Sequence, residues 1–388
     1  MPSKILYPFE NNIIQPLRII TEYTRYGFIE KNKEFIDLTL GSCGCFPIGF
    51  KRNEIIEYVS NNMKSIPYSS GESFTTNTAV LELAERFYQM SGGYSSVFSL
   101  SGSDAIEGAI KMAQLYNGKN KFLGFKKSYH GSTYMSSSIS DATNITDIFG
   151  KDSRCIVSDY TLDKITDDLC AVVVETCSWQ NGLHDPGKNF WDSLRKICTD
   201  KDIVLIVDDI AMCGGKTNTF FGWQGRIVPD IFTVGKAITA GYFPLSATLA
   251  NNKIYSKIKN KLWPHGFSYS FNLSGVYSTL AYLDILDKEN LLSNSSKFIE
   301  IVKLMCDNFI KKKLIKYYKN YGVVFNLYFL NNETSEKKFE NFLLQYGISA
   351  RLWSSDGGML LFIPIDADKE YFLNLQDKLF KAFLDYKS

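Results

Sequence analysis

The sequence predicts an α/β protein: a large domain built on a mostly parallel, mixed sheet covered by helices, followed by a smaller α+β domain. Three observations carry that reading. Between residues 80 and 250, short apolar runs at 97–100, 122–125, 171–174, 203–207, 231–234 and 245–250 alternate with longer helical patterns, the mark of a sheet threaded by helices. Runs such as Val204, Leu205, Ile206 and Val207 are apolar without alternation, which fits strands buried on both faces. The tail then changes character. A helical pattern at 296–311 precedes a strand-like 323–329, a helical 340–346, a strand-like 359–363 and a last helix at 369–385, so helices lie on one side of a small antiparallel sheet.

Taken in order, residues 1–55 join the small domain or lie across the cleft, 56–285 form the large domain, and 286–388 form the small one. Within the large domain, Ala105, Ile106, Ala109, Ile110, Met112, Ala113 and Tyr116 recur at helical spacing, predicting an amphipathic helix over 105–116. The polar run 331–338 reads as a surface loop entering a helix. In such sheets ligands collect beyond the carboxyl ends of the strands.

Composition narrows the class. The 388 residues are 45% apolar and 14% aromatic, enough to bury roughly three quarters of the unfolded chain's surface. Forty-three basic residues against 41 acidic ones leave a charge of +2, with no field aimed at nucleic acid or an anionic membrane. Eight irregularly spaced cysteines read as reduced thiols rather than a disulfide framework. The first residues lack an apolar signal core, and no apolar stretch reaches membrane length. A cytoplasmic globular protein is expected. Cys43-Gly44-Cys45 has no second Cys/His cluster at ligand spacing, so no metal is expected.

Chemistry gathers at strand ends. The run 203–207 ends on Asp208, and the run 231–234 leads through Gly235 into Lys236, so an acid and an amine reach the same sheet edge. Desolvation lowers the pKa of a buried lysine toward nucleophilic use, and Schiff-base chemistry needs such an amine. Each alone also reads as a strand cap or half of a salt bridge. Ser101-Gly102-Ser103-Asp104 stands directly before the 105–116 pattern. Small residues at a helix start make a phosphate cradle, though Ser and Asp favour ordinary N-caps as well. Tyr129-His130-Gly131 follows another strand-like run, where an aromatic ring could stack on a planar ligand.

Together, Asp208, Lys236, Gly102-Ser103 and Tyr129-His130-Gly131 resemble the class III pyridoxal-phosphate aminotransferases, in family order. The resemblance is clear from about residue 36 to 285 and weaker after it. It implies fold type I, pyridoxal 5'-phosphate as cofactor, and a homodimer with shared active sites. Lys236 would carry the cofactor as a Schiff base and shuttle a proton, and Asp208 would pair with the ring nitrogen. Gly102, Ser103 and the Asp104 backbone would hold the phosphate. Tyr129 and Ile210 would cover the two ring faces, with His130 close by and Glu175 near the ring hydroxyl. Ser268, in His265-Gly266-Phe267-Ser268-Tyr269, stands for the usual threonine that reaches the neighbour's phosphate, and Arg351 resembles the arginine that binds a substrate carboxylate. A solvated surface arginine is the plainer reading of that last position.

Two subfamilies share the likeness. Asp208-Asp209-Ile210-Ala211 and Ser246-Ala247-Thr248-Leu249 are similar to diaminopelargonate aminotransferase. Gly41-Ser42-Cys43-Gly44 is similar to the loop at the cleft mouth of glutamate-1-semialdehyde aminomutase. Asp209 replaces the usual Glu, Thr176 the usual Pro, and Lys216 a common Arg. The resemblance implies transfer of an amino group from a small amine donor to a carbonyl acceptor in two half-reactions. An aminomutase, decarboxylase or racemase on the same lysine, or a non-catalytic binding relative, stays open at this point. Trp179 and Trp353 read first as packing residues and second as pocket lining.

Overall fold

The computed structural model describes residues 18–71, 75–141, 145–330, 336–353 and 358–387. Its central sheet has seven strands in the order Ser95–Ser99, Ser246–Ala250, Ile231–Val234, Val204–Asp208, Leu169–Glu175, Lys121–Phe125 and Cys155–Ser158. Ser246–Ala250 runs antiparallel to both neighbours, and the other pairings are parallel. The sheet is therefore mixed and mostly parallel, as expected.

Its strands carry two cores at once. Ala171, Val173, Val204, Ile206 and Ile231 belong to one apolar cluster with Ile106, Ala109, Ile110 and Ala113 of the helix Gly102–Asn117. Val172, Val174, Leu205, Val207 and Phe232 belong to the other, with Leu83, Phe87, Leu194 and Leu280. Alternate residues face opposite sides of a strand, which explains the unbroken apolar runs. Each buried Val, Leu, Ile or Phe among them contributes about 1.5–3 kcal/mol.

The helix expected over 105–116 begins three residues earlier, at Gly102. Ser101 is its N-cap: Ser101 Oγ accepts from the Asp104 N–H (3.3 Å) and Asp104 Oδ2 accepts from the Ser101 N–H (3.1 Å). This reciprocal pair satisfies two otherwise orphaned donors.

The tail folds as a four-stranded antiparallel sheet, ordered Tyr317–Tyr321, Val324–Tyr328, Gly358–Phe362 and Leu352–Trp353. The first of these strands was not foreseen, because its Tyr-Tyr-Lys-Asn-Tyr sequence has no apolar run. Phe325, Leu327 and Leu361 pack with Val302, Phe309, Leu375 and Phe383 of the helices Leu291–Lys311 and Lys369–Lys387. The opposite face, with Tyr321, Val324, Leu360 and Phe362, meets Leu40, Trp179 and Met212. That face closes over the carboxyl edge of the large sheet. The helix expected over 340–346 starts at Glu336 and tightens into a 3₁₀ turn at Leu344–Tyr346. Of the loop expected over 331–338, residues 331–335 lie outside the described residues, and 336–338 already belong to the helix.

The N-terminal strands Ile20–Tyr23, Gly27–Glu30 and Lys33–Asp37 form a meander whose last strand pairs in parallel with Ile348–Ser349. Its second hairpin turns on Lys31 and Asn32, both at positive φ. Without an Asn-Gly or Asp-Gly signal, the sequence concealed it. Among the described residues no helix is long and apolar enough to cross a membrane.

Candidate active site

Five elements deliver their ends to one edge of the large sheet. Glu175 and Asp208 are paired residues at the ends of neighbouring parallel strands. Lys236 follows the next strand, and the helix Gly102–Asn117 starts just past Ser95–Ser99. Tyr129 and His130 follow Lys121–Phe125. Parallel strands share their carboxyl edge, so distant stretches of sequence converge.

Asp208 is 5% exposed. Its Oδ2 accepts from the buried His130 Nδ1 at 2.8 Å, and its Oδ1 from the Ile210 N–H at 3.1 Å. The carboxylate acceptor fixes the proton on His130 Nδ1, leaving His130 Nε2 buried without a partner in the described structure. Glu175 Oε1 accepts from the Tyr129 N–H at 2.7 Å and from Ser178 Oγ at 3.3 Å, while its Oε2 is a second buried orphan. Burial pushes the Glu175 carboxyl up to about 7; His130 opposes the shift and Asp208 adds to it. Unpartnered buried polar atoms are costly, and these two face the same strand ends.

Lys236 sits at φ 47° and opens the 3₁₀ turn Lys236–Thr239. A left-handed backbone at a lysine costs on the order of 1 kcal/mol, here at a residue that ends a buried strand. Its Nζ lies 5.1 Å from the centroid of the Trp179 ring. Burial alone would lower this amine's pKa, the direction expected from sequence. The structure corrects that expectation: Cys43, Cys45, Asp208 and Glu175 outweigh burial and hold the ammonium above its ordinary value. Cys43 and Cys45, read from sequence as reduced thiols without a metal, thus stand within electrostatic reach of the amine. Trp179 is buried and adjoins it, whereas the Trp353 side chain lies outside the described residues.

The cradle at the helix start is shaped by absent side chains. A Cβ at Gly102 would come within 2.9 Å of Ile210 Cδ1, so Ile210 packs directly over this turn. Gly131, at φ 134°, would place a Cβ 2.5 Å from Ser103 Oγ, and Ser103 Oγ accepts from the Ser132 N–H at 3.1 Å. Gly102 and Ser103 stand in the first turn, where amides have no intrahelical acceptor. Asp104 departs from expectation, because its N–H is already held by the Ser101 cap.

Two expected residues lie apart from this cluster. Ser268 is exposed on the 265–270 loop, and its carbonyl accepts from Tyr68 OH at 2.7 Å. Arg351 is partly buried and follows Ile348–Ser349.

Three features escaped the sequence reading. Thr176 Oγ1 donates to Asp209 Oδ1 (2.7 Å), and the Gly222 N–H donates to Asp209 Oδ2 (2.7 Å). Asp209 is fully buried, and burial drives its carboxyl up to about 7. Lys216 is also buried, with Nζ on the carbonyls of Ala211 (2.8 Å) and Cys213 (3.2 Å), and burial lowers its pKa. The third is the backbone of Leu40–Gly44, where Leu40, Gly41 and Ser42 all take positive φ. Asp37 holds it by accepting from the Thr39 and Gly41 amides at 2.8 and 3.0 Å. The adjacent departures at Thr176 and Asp209 were the available signal for the first.

The set fits pyridoxal phosphate. An amine and a buried carboxylate face one edge, two orphaned polar atoms adjoin them, and a helix start without side-chain obstruction offers amides to a phosphate. Comparison with known proteins agrees. Residues 24–361 match the model of the aminotransferase class-III family. The acetylornithine/succinyldiaminopimelate aminotransferase of Buchnera aphidicola is 28% identical over 337 residues, covering 82% of this chain and 80% of that one. The β-alanine–pyruvate aminotransferase of Pseudomonas aeruginosa is 26% identical over 313 residues, 69% of each chain. An amine transaminase from an uncultivated Pseudomonas species superposes with a TM-score of 0.89 at 21% identity, covering 99% of both chains. The family match extends over strand ends, cradle and small sheet together, so the chain belongs to the class III aminotransferases, fold-type-I enzymes that use pyridoxal phosphate to move an amino group from an amine donor to a carbonyl acceptor.

Proposed function

We propose that Lys236 and Asp208 are the catalytic pair of this aminotransferase and that the residues around them hold the cofactor. Pyridoxal phosphate supplies, when bound, an aldehyde carbon and an electron-withdrawing ring that accepts the electron pair of a broken C–H bond. Lys236 would hold the cofactor through Nζ, and the same amine would serve as the acid/base that takes a proton from one carbon and returns it to another. Asp208 keeps the ring nitrogen protonated, and His130 orients Asp208. Tyr129 and Ile210 exclude water from the two ring faces. Glu175, with its raised pKa and free Oε2, meets the ring hydroxyl. The amides of Gly102 and Ser103 take the phosphate, aided by the helix dipole.

The observation that carries this reading is the convergence of Glu175, Asp208 and Lys236 on successive parallel strand ends beside a helix start. Adding pyridoxal phosphate to the purified protein tests it. A visible absorbance band is expected that requires Lys236 and bleaches with a subset of primary amines. A band unchanged in Lys236→Ala would remove Lys236 from the role.

The finer assignments follow. Arg351 binds a donor or acceptor carboxylate through its bidentate fork. In support, the strand it follows, Ile348–Ser349, lies beside Lys33–Asp37, and the Ser349 carbonyl accepts from the Leu38 N–H at 2.9 Å, next to the Leu40–Gly44 loop. Relatives named for acetylornithine, diaminobutyrate and β-alanine favour an amino donor that carries a carboxylate away from the reacting amine. Ser268 reaches the phosphate site of a second copy, making a homodimer with shared sites. Exposed Tyr68, Tyr269 and Ile66 near that loop favour cover by a partner. Eight free cysteines favour a reducing cytoplasm. Residues 56–285 form the cofactor domain, with 1–55 and 286–388 making the small one across the cleft.

A further inference from the structure

His265 lies outside the catalytic cluster, yet it joins the proposed phosphate-binding helix of its own copy to the loop whose Ser268 is proposed to reach the phosphate of a second copy. Its Nδ1 is 2.9 Å from Lys111 Nζ, and its Nε2 is 3.1 Å from the Asp104 carbonyl. An ammonium has hydrogens only and a carbonyl has lone pairs only. Both contacts therefore exist at once in a single state, the neutral ring with its proton on Nε2. A second proton on Nδ1 would turn the Lys111 contact into a repulsion between two cations.

The placement gives that state consequence. Asp104 is in the first turn of the helix whose Gly102 and Ser103 amides face the cofactor phosphate. His265 begins the 265–270 loop, which carries Ser268 three residues on. A Cβ at Gly108 would sit 3.4 Å from His265 Cδ2 and 3.0 Å from Thr248 Oγ1, so the ring is seated on the helix without an intervening side chain. We propose that neutral His265 is a positioning residue that pins the Ser268 loop to the phosphate-binding helix, and that its protonation releases the cofactor. This rests on the phosphate assignment made above.

The groups facing the ring are Lys111, Glu107 and the Asp104 carbonyl and carboxylate on the helix, Thr248 on the sheet, and Trp263 and Phe267 on its own loop. Burial first and Lys111 second hold the imidazole below its ordinary value, outweighing the acidic groups. Neutral His265 therefore persists through neutral pH, and the pin fails only on acidification.

The test is cofactor retention of the holoenzyme across pH, read as pyridoxal phosphate passing a desalting membrane. Wild-type protein retains cofactor down to a midpoint below about 6.5, the ordinary histidine value. Lys111→Met removes the opposing cation, so its midpoint moves up toward that value. His265→Gln keeps an N–H for the Asp104 carbonyl and cannot titrate, so its acid-release step disappears. Only three histidines are present, so nitrogen-15 NMR of the apoprotein reads the Nε2–H tautomer directly. Identical release midpoints in wild type and Lys111→Met, or a protonated Nδ1 at pH 8, would overturn the pin. Loss of Lys236-dependent retention at pH 8 in the wild type would instead overturn the cofactor assignment.

Discussion

The two walls of the candidate site are made of different material. The cofactor wall stands on strand ends: Glu175 and Asp208 are adjacent in register, His130 is locked to Asp208, and the flanking strands are buried on both faces. The wall proposed for the substrate is a loop, Leu40–Gly44, with three consecutive positive-φ residues, facing a small antiparallel sheet. Strand ends hold their side chains rigidly, because moving one would disturb two close-packed cores. A loop held by the Asp37 carboxylate and one side of a small sheet can change shape and composition without that penalty. On the proposed assignment, chemistry falls on the rigid wall and discrimination on the adaptable one.

That division predicts a gradient of effects. On the rigid wall, Lys236→Ala should abolish Schiff-base formation and lower turnover by about 10⁴-fold or more. Single-turnover kinetics with a reactive amine measures it, and a loss of less than tenfold would move the chemistry elsewhere. Next comes Asp208→Asn, which keeps the shape and removes the charge. A loss in kcat of about 10²–10³-fold is expected, as for removal of one electrostatic stabiliser in a buried site. His130→Phe should show a smaller loss in the same direction, and little further loss when added to Asp208→Asn, since it acts through that carboxylate.

On the adaptable wall the effect should fall on binding. Arg351→Ala should raise KM for carboxylate-bearing donors by about 10–100-fold, the equivalent of roughly 1.4–2.7 kcal/mol, with a much smaller change in kcat. Simple amines should be nearly unaffected. Equal changes for both donor classes would take Arg351 out of the pocket.

The same contrast decided what could be read from sequence. Asp208 and Lys236 were legible as candidates because each stands at or just past the end of a strand-like run, and the resemblance made them a pair, since each alone also reads as a cap or half of a salt bridge. The cradle was legible because Ser101 and Asp104 spell a helix start, although their mutual cap also takes the Asp104 amide out of the phosphate site. The N-terminal meander and Tyr317–Tyr321 were not legible: their strands are largely polar or exposed, and the meander's second turn, at Lys31-Asn32, has no glycine. Nor was the sign of the Lys236 shift, which depends on thiols almost two hundred residues away in sequence. Strand ends announce themselves locally, whereas a loop wall is defined by what it folds against.

Asp209 sits between the walls, and its replacement should have the smallest effect on turnover. The pair with Thr176 explains two departures from the family pattern together: a shorter acid at 209 is met by a hydroxyl at 176. Burial raises the Asp209 carboxyl from 3.8 to about 7, so the native state keeps a proton that the unfolded chain releases. Linkage then requires native stability to fall as pH rises from about 4 to about 7 and to level off above. Asp209→Asn mimics the protonated acid, with its oxygen free for the Gly222 N–H and its amide for Thr176 Oγ1. Its stability relative to wild type should therefore increase with pH across that window, read as urea midpoints at pH 5 and pH 8. Thr176→Val removes the hydrogen bond that favours the charged form, so the wild-type decline should extend to higher pH. A wild-type slope that survives unchanged in Asp209→Asn would place the titrating proton on another carboxyl that burial raises, Glu175 on the rigid wall or Asp366.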